Sequence, residues 1–167
     1  MKVFVADTGP LLHLHQIEML NLLPALGEIW TTPTVWREFT RHAGEGSPPA
    51  WLHVAQPSAS ASERASRWVQ AGLLHAGEAE ALALACESAP DAILSDDTDA
   101  REMARTCGVG SRGTLGIILL AAVRGVLARE DAAEALRKLE VISTLWLSAK
   151  VRRAAREALA EIYKSNP

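Results

Sequence analysis

The residues with the clearest chemical potential are acids at the ends of short apolar runs. Asp7 follows Lys2–Ala6, and Asp96 with Asp97 follows Ala92–Ser95. Both runs read as buried strands, and an open parallel sheet places its working site beyond the carboxyl ends of its strands. Two further acids sit on segments with helical spacing. Glu38 lies beside Val35, and Glu78 is the second residue of a helix read from Gly77 to Glu87. Glu78 shares a face with Leu82 and Ala85 and is expected to point inward, whereas Glu80, about 200° further round, is expected to face solvent. Carboxylates converging on one point repel strongly unless a cation joins them. Hard oxygen donors with no nearby His–Cys set favour Mg²⁺ or Mn²⁺ over zinc. Such a site orients and activates water and neutralises charge on a phosphate under in-line attack. Each acid also has a plainer reading: a turn residue at Asp7, a helix cap at Asp96 or Asp97, a solvated position at Glu38, a first-turn acid at Glu78. Asp99 and Glu102 read as surface acids favoured by the helix dipole. The two strand ends taken together favour a site.

The elements that must position these acids alternate. After the first strand, Asp7-Thr8-Gly9-Pro10 reads as a turn, and Leu11–Leu26 carries a helical pattern broken near Pro24 and Gly27. Ile29–Thr31 reads as a second strand. Thr32 before Pro33 is an N-cap with proline at the first helical position. Gly44–Pro49 reads as a loop, and Trp51–Gln56 as a third strand or an extended connection. Ser60-x-x-Glu63 has the form of a capping box for a helix through Trp68. The helix after Asp97 runs to Cys107 and stops at Gly108. Val109 begins a brief link, and helices follow over Thr114–Val126, Glu130–Glu140 and Ser148–Lys164. Strands alternating with helices imply a three-layer α/β/α sandwich with a central, mostly parallel sheet. One domain over residues 1–167 is expected, its helices from about residue 130 packing on it or forming an interface.

Composition narrows the function. Of 167 residues, 49% are apolar and 22% charged, the balance of a chain with a core. Lys plus Arg is 17 against 20 Asp plus Glu, a net charge of −3, so the chain as a whole does not attract nucleic acid or anionic membrane. Any nucleic-acid role rests on a local basic surface or a bound cation. Cys86 and Cys107 stand alone, which argues against a disulfide framework or a zinc knuckle. The amino terminus lacks the form of a secretory signal, and the apolar run Leu115–Val123 is about half a membrane span. A cytoplasmic protein with no membrane partner is the expectation.

Five stretches, VFVADTGPLLHL, TTPTVWREF, HAGEAEALALA, AILSDDTDAREMA and GTLGIILLAAVRGVL, follow one another in the order and spacing of PIN-domain proteins. The chain resembles most the branch described as predicted nucleic-acid-binding proteins, relatives of the VapC-type toxins, from about Lys2 to Val126 and more loosely to the end. The resemblance implies an α/β/α fold whose acidic cluster binds Mg²⁺ or Mn²⁺ and cleaves RNA. Asp7 then matches the first acid of the family and Glu38 the second. Glu78 stands where most VapC-type sequences have aspartate, and reaches one methylene further. Asp97 falls on the acid of the [ST]-x-D element begun by Ser95, with Asp96 in the middle position. The implied catalytic set is Asp7, Glu38, Glu78, Asp96 and Asp97; the metal ligands are Asp7, Glu78, Asp96 and Asp97. The doubled acid leaves open whether Asp96, Asp97 or both face the metal. A toxin role with a small protein antitoxin is implied as well. The alternative is a catalytically weak PIN-fold module that binds nucleic acid or a partner.

Thirteen of the 17 basic residues are arginine, the side chain suited to bidentate phosphate contact. Arg101 and Arg112 are candidate RNA contacts against a reading as ordinary surface charge. Thr8 and Thr114 are candidates to assist metal or phosphate binding, or simply caps. His13 and His15, two apart on one helix, face different sides and read as surface or partly buried histidines. Over residues 146–164, Lys150, Arg152, Arg153, Arg156 and Lys164 flank an apolar stripe of Val151, Ala155, Leu159 and Ile162. The stripe packs on the domain or forms a homodimer or partner interface, with Trp146 as an anchor in either case.

Overall fold

The computed structural model describes residues 1–44 and 46–165. Of the expected loop at Gly44–Pro49, Glu45 lies outside the described residues, as do the last two residues of the chain. The elements run β1 (Val3–Ala6), α1 (Thr8–Gln16), α2 (Leu22–Leu26), β2 (Glu28–Thr31), α3 (Pro33–Ala43), β3 (Leu52–Val54), α4 (Ala59–Gln70), α5 (Ala76–Ser88), β4 (Ala92–Leu94), α6 (Thr98–Thr106), β5 (Ser111–Arg112), α7 (Thr114–Val123), α8 (Arg129–Val141) and α9 (Ala149–Ser165). Among the described residues five strands pair in the order β3-β2-β1-β4-β5, every pair parallel. On one face Phe4, Ile29 and Leu94 meet Leu23 and Leu26 of α2 and Ile117 and Leu120 of α7. On the other, α5 lies against β1 and β4, with α4 and α6 beside it. This is the α/β/α sandwich expected from the alternation. The sheet is covered on both sides, which is why β1 and β4 read as unbroken apolar runs. Among the described residues no helix is long and apolar enough to cross a membrane.

The strand order reverses its direction of travel between β1 and β4. Chain leaving β1 heads toward β2 and chain leaving β4 toward β5, so the loops after the two strands part and leave a crevice at their carboxyl ends. Asp7 and Ser95-Asp96-Asp97 border that crevice.

Several boundaries differ from the sequence expectation, each for a local reason. The supposed turn at Asp7–Pro10 is the start of α1. Asp7 is extended (φ −83°, ψ 170°) and its carboxylate accepts from the Thr8 N–H, while Pro10 sits in the first turn, where a missing N–H costs nothing. The expected helix 11–26 is two helices, α1 and α2, because the chain turns at Glu18, which holds a left-handed φ of 61°. The link after Val109 contains β5, whose edge pairing is made by Ile93 N–H to Gly110 O (2.8 Å) and Ser95 N–H to Arg112 O (2.9 Å).

Helix α4 is capped by Ser58, not Ser60. The Ser58 hydroxyl accepts from Ala61 N–H at 3.2 Å and donates to Glu87 of α5 at 2.6 Å. Ser58→Ala should therefore cost about 1 kcal/mol in urea unfolding, the usual worth of a lost N-cap, and Ser60→Ala less than half of that. Equal costs for the two variants would contradict this assignment.

Helices α8 and α9 pack on α7 and on each other. Ala155 and Leu159 are buried in that contact, whereas Val151 is 41% and Trp146 83% exposed. Trp146 is thus left largely exposed and is not buried as an anchor among the described residues.

Candidate active site

Asp7 is the centre of the crevice. It continues β1, its N–H donating to Leu94 O of β4 at 2.9 Å, and it is 4% exposed. Its carboxylate accepts from Thr8 N–H (2.7 Å) and from the Ser95 hydroxyl (3.1 Å). Burial pushes its pKa up. The Thr8 N–H and the Ser95 hydroxyl pull it back, while the negative charges of Glu78 and, more weakly, Glu38 push it higher, leaving it at about 7. Glu38 and Glu78 are thus close enough to Asp7 in space for their charges to act on it, although 71 residues separate Asp7 from Glu78.

Glu38 is aimed by two helix starts. Its carboxylate accepts from the Thr8 hydroxyl at 2.7 Å and from Gly77 N–H at 3.0 Å, so it joins the N-terminal ends of α1 and α5, where the helix dipoles favour negative charge. The approach is possible because residue 77 is glycine: a Cβ there would lie 2.2 Å from the Glu38 carboxylate oxygen. Glu78 does not extend freely into the crevice. It turns back to accept from His75 N–H at 2.8 Å, closing a capping box over the start of α5. Its side chain keeps 20% exposure.

The two acids after β4 diverge. Asp97 caps α6, accepting from Ala100 N–H at 2.7 Å, and its own N–H donates to the Ser95 hydroxyl oxygen at 3.2 Å. Ser95, fully buried, therefore links Asp7 to Asp97. Asp96 has both oxygens engaged: one accepts from Thr114 N–H (2.7 Å), the other from the Thr114 hydroxyl (2.6 Å) and lies 2.7 Å from His13 Nδ1. Burial works against its charge, but the bonds from His13 and Thr114 outweigh it and hold the carboxyl below the usual carboxylate range. Thr114 thus serves Asp96, and Thr8 serves Glu38.

Arg101 is half-buried on α6, with one guanidinium nitrogen 3.5 Å from where a Gly113 Cβ would stand, on the Asp96 side of the crevice. Arg112 is exposed on β5. No ion pair to either is present among the described residues. Glu80 is not the solvent-facing residue expected: it accepts from Thr34 N–H at 3.1 Å, satisfying an otherwise open donor at the start of α3. His13 was not among the expected site residues. Once α1 starts at Thr8, Gly9 and His13 are four apart on one face, and a Gly9 Cβ would meet both Asp96 and His13, so the helix start was the signal that leads to it. Among the described residues no three His, Cys, Asp or Glu side chains stand together as a preformed metal cage.

A buried aspartate at the switch point of a parallel α/β/α sheet, with further carboxylates and helix starts near the same edge, defines the class. A family model described as a PIN domain matches residues 3–161. The chain belongs to the PIN-domain family, whose members are generally nucleases that act on nucleic acid. No curated protein matches the chain.

Proposed function

We propose that the protein is an Mg²⁺- or Mn²⁺-dependent endoribonuclease of the toxin type, working at the Asp7 crevice. The observation that carries this reading is the Asp7 carboxylate buried at the carboxyl end of β1, with the charges of Glu78 and Glu38 bearing on it. A protein that needed Asp7 only as a helix cap would gain nothing from two further carboxylates beside it. The donor set fits a hard divalent cation, since Asp7, Glu38 and Glu78 offer only carboxylate oxygen. Asp97 has one oxygen engaged at Ala100 and the other to contribute. Asp96, tied to His13 and Thr114, fixes the β4–α6 turn so that Asp97 and Ser95 keep their places. Bound there, the cation supplies charge neutralisation at the phosphate and activation of water.

The chain's own residues prepare that chemistry. Thr8 N–H and Ser95 hold the Asp7 carboxylate at the end of β1, and Thr8 with Gly77 holds Glu38. Arg101 and Arg112 carry positive charge beside the crevice, where they counter the chain's net negative charge toward an RNA backbone. An antitoxin would act by covering this acidic edge, and the exposed Trp146 offers a contact for a second copy or another protein.

A weak or non-catalytic binding module is the second reading. It is favoured by the engagement of Glu38, Glu78, Asp96 and Asp97 in bonds within the scaffold. RNA cleavage with Mg²⁺ or Mn²⁺, with and without EDTA, separates the two readings. Cleavage that requires the metal and disappears in EDTA is the expected result. RNA binding without cleavage of structured or single-stranded substrates would favour the module, and cleavage indifferent to EDTA would exclude the metal mechanism.

A further inference from the structure

A cleft of about 350 Å³ lies between α4 and the N-terminal turns of α3 and α5, lined by Thr34, Ser62, Ser66, Val69, Gln70 and Glu80 among others. It shares its two helix starts with the Asp7 crevice. Thr34 comes one turn before Glu38 on α3, about 6 Å along the helix axis, and Glu80 stands two residues beyond Glu78 on α5. The polar groups of the cleft are only partly engaged by the fold. One Glu80 oxygen accepts from Thr34 N–H at 3.1 Å. No bond to its other oxygen, or to the Gln70 amide, occurs among the described residues. The Ser66 hydroxyl donates to Ser62 O at 3.0 Å and keeps its own lone pairs open. Val69, 40% exposed, adds an apolar wall. On the rim, the Arg37 guanidinium donates to the Thr34 hydroxyl at 2.9 Å and has no carboxylate partner among the described residues.

This lining selects among flat polar rings. An ionised carboxylate can only accept. Guanine alone of the four RNA bases presents two adjacent donors on its Watson–Crick edge, N1–H and the 2-amino group. Adenine, cytosine and uracil each set an acceptor beside their one donor group, and would bring it against a carboxylate oxygen. Single-stranded RNA is read on these same edges, by side chains that meet an unstacked base. We propose that the cleft is a guanine subsite, in which Glu80 accepts from N1–H and the 2-amino group of one base. Gln70 is free to donate to the base O6, Val69 covers a ring face, and Arg37 meets the RNA backbone as a phosphate contact. The proposal rests on the reading of the Asp7 crevice as an RNA site, and makes Glu80 the residue that sets which nucleotide lies beside it.

The test titrates fluorescein-labelled uridine hexamers, carrying one central guanosine, inosine or adenosine, with the full chain in EDTA. Fluorescence anisotropy gives Kd for each. The guanosine oligomer should bind on the order of tenfold tighter than the adenosine one, with inosine, which lacks the 2-amino group, between them. Glu80→Gln keeps an oxygen for Thr34 N–H and should melt with the wild type, yet the guanosine advantage should disappear. Arg37→Gln should weaken all three oligomers alike, since phosphate contacts carry no base information. Equal wild-type affinities for the three oligomers would overturn the proposal. So would an undiminished guanosine advantage in Glu80→Gln, or no binding of any oligomer. Failure of the nuclease reading has a different signature. Guanosine-selective binding with no cleavage in Mg²⁺ or Mn²⁺ removes the enzyme and leaves the subsite. Metal-dependent cleavage with no guanosine preference removes the subsite and leaves the enzyme.

Discussion

Asp7→Asn should raise the melting temperature of the metal-free protein at pH 8 while lowering metal-dependent RNA cleavage by on the order of 10²- to 10³-fold. The two effects have one origin. A carboxyl moved from 3.8 to about 7 costs the folded state, when ionised, on the order of 4 kcal/mol. The sign follows from proton binding. Between those two values the folded protein keeps a proton that the unfolded chain has lost, so stability falls as pH rises through that window, and the whole cost is present above about 7. Asparagine has the same shape and no charge. Its oxygen can accept from Thr8 N–H, and the Ser95 hydroxyl can turn to accept from its amide. Losing the charge-assisted character of those bonds returns part of the gain. A net gain of about 2 kcal/mol at pH 8, or roughly 4–8 °C, is the expectation, shrinking toward zero near pH 4. Thermal melts in EDTA at both values measure it. A lower melting temperature at pH 8 would mean that Asp7 is there as a structural cap. Adding Mg²⁺ or Mn²⁺ should then stabilise the wild type by mass action and leave Asp7→Asn where it was.

That Asp7 is both buried at a cost to its charge and the centre of the candidate site reflects where the strands end. Asp7, Glu38, Glu78 and Asp96-Asp97 were visible as acids because the strand ends could be placed, and the strand ends could be placed because VFVA and AIL are short, wholly apolar runs. The sandwich followed from the same alternation. What was not visible were relations made in space. The two residues of β5, Ser111 and Arg112, are both exposed and polar, so nothing in their type announces a strand; pairing with β4 alone makes one. Ser58 and Ser60 fit the local rule for a cap equally well, and Glu87, 29 residues away, accepts from Ser58. Asp96 and Asp97 are neighbours of identical chemistry. They part because Thr114 and His13, 18 and 83 residues distant, claim one of them. Glu80 shows the limit of helical geometry as a guide. Its angular position pointed to solvent, and the start of another helix came to meet it.

The glycine at position 77 allows the site to be tested apart from the stability of the fold. A methyl group there would stand 2.2 Å from one Glu38 oxygen, 2.8 Å from its carboxyl carbon and 2.9 Å from its other oxygen. No such contact can persist, so something must move. The atoms in the way are the far end of a flexible side chain, which can swing aside at little cost, whereas backbone could not. Gly77 also lies inside the first turn of α5, where alanine gains roughly 1 kcal/mol in helix propensity. Against that gain stand the Gly77 N–H and Thr8 hydroxyl bonds to Glu38, worth about 1 kcal/mol each at most when the carboxylate can reach water instead. Gly77→Ala should therefore change stability by no more than about 1 kcal/mol. The displaced carboxylate no longer bears on Asp7, and a misplacement on the ångström scale at a reacting centre can cost on the order of 10²-fold in rate. The variant should thus melt near the wild type yet cleave RNA about as poorly as Glu38→Gln. Wild-type cleavage in a folded Gly77→Ala protein would show that the position of Glu38 is immaterial and would remove it from the active set. Losing stability and activity together would instead make the close contact between α3 and α5 a matter of packing alone.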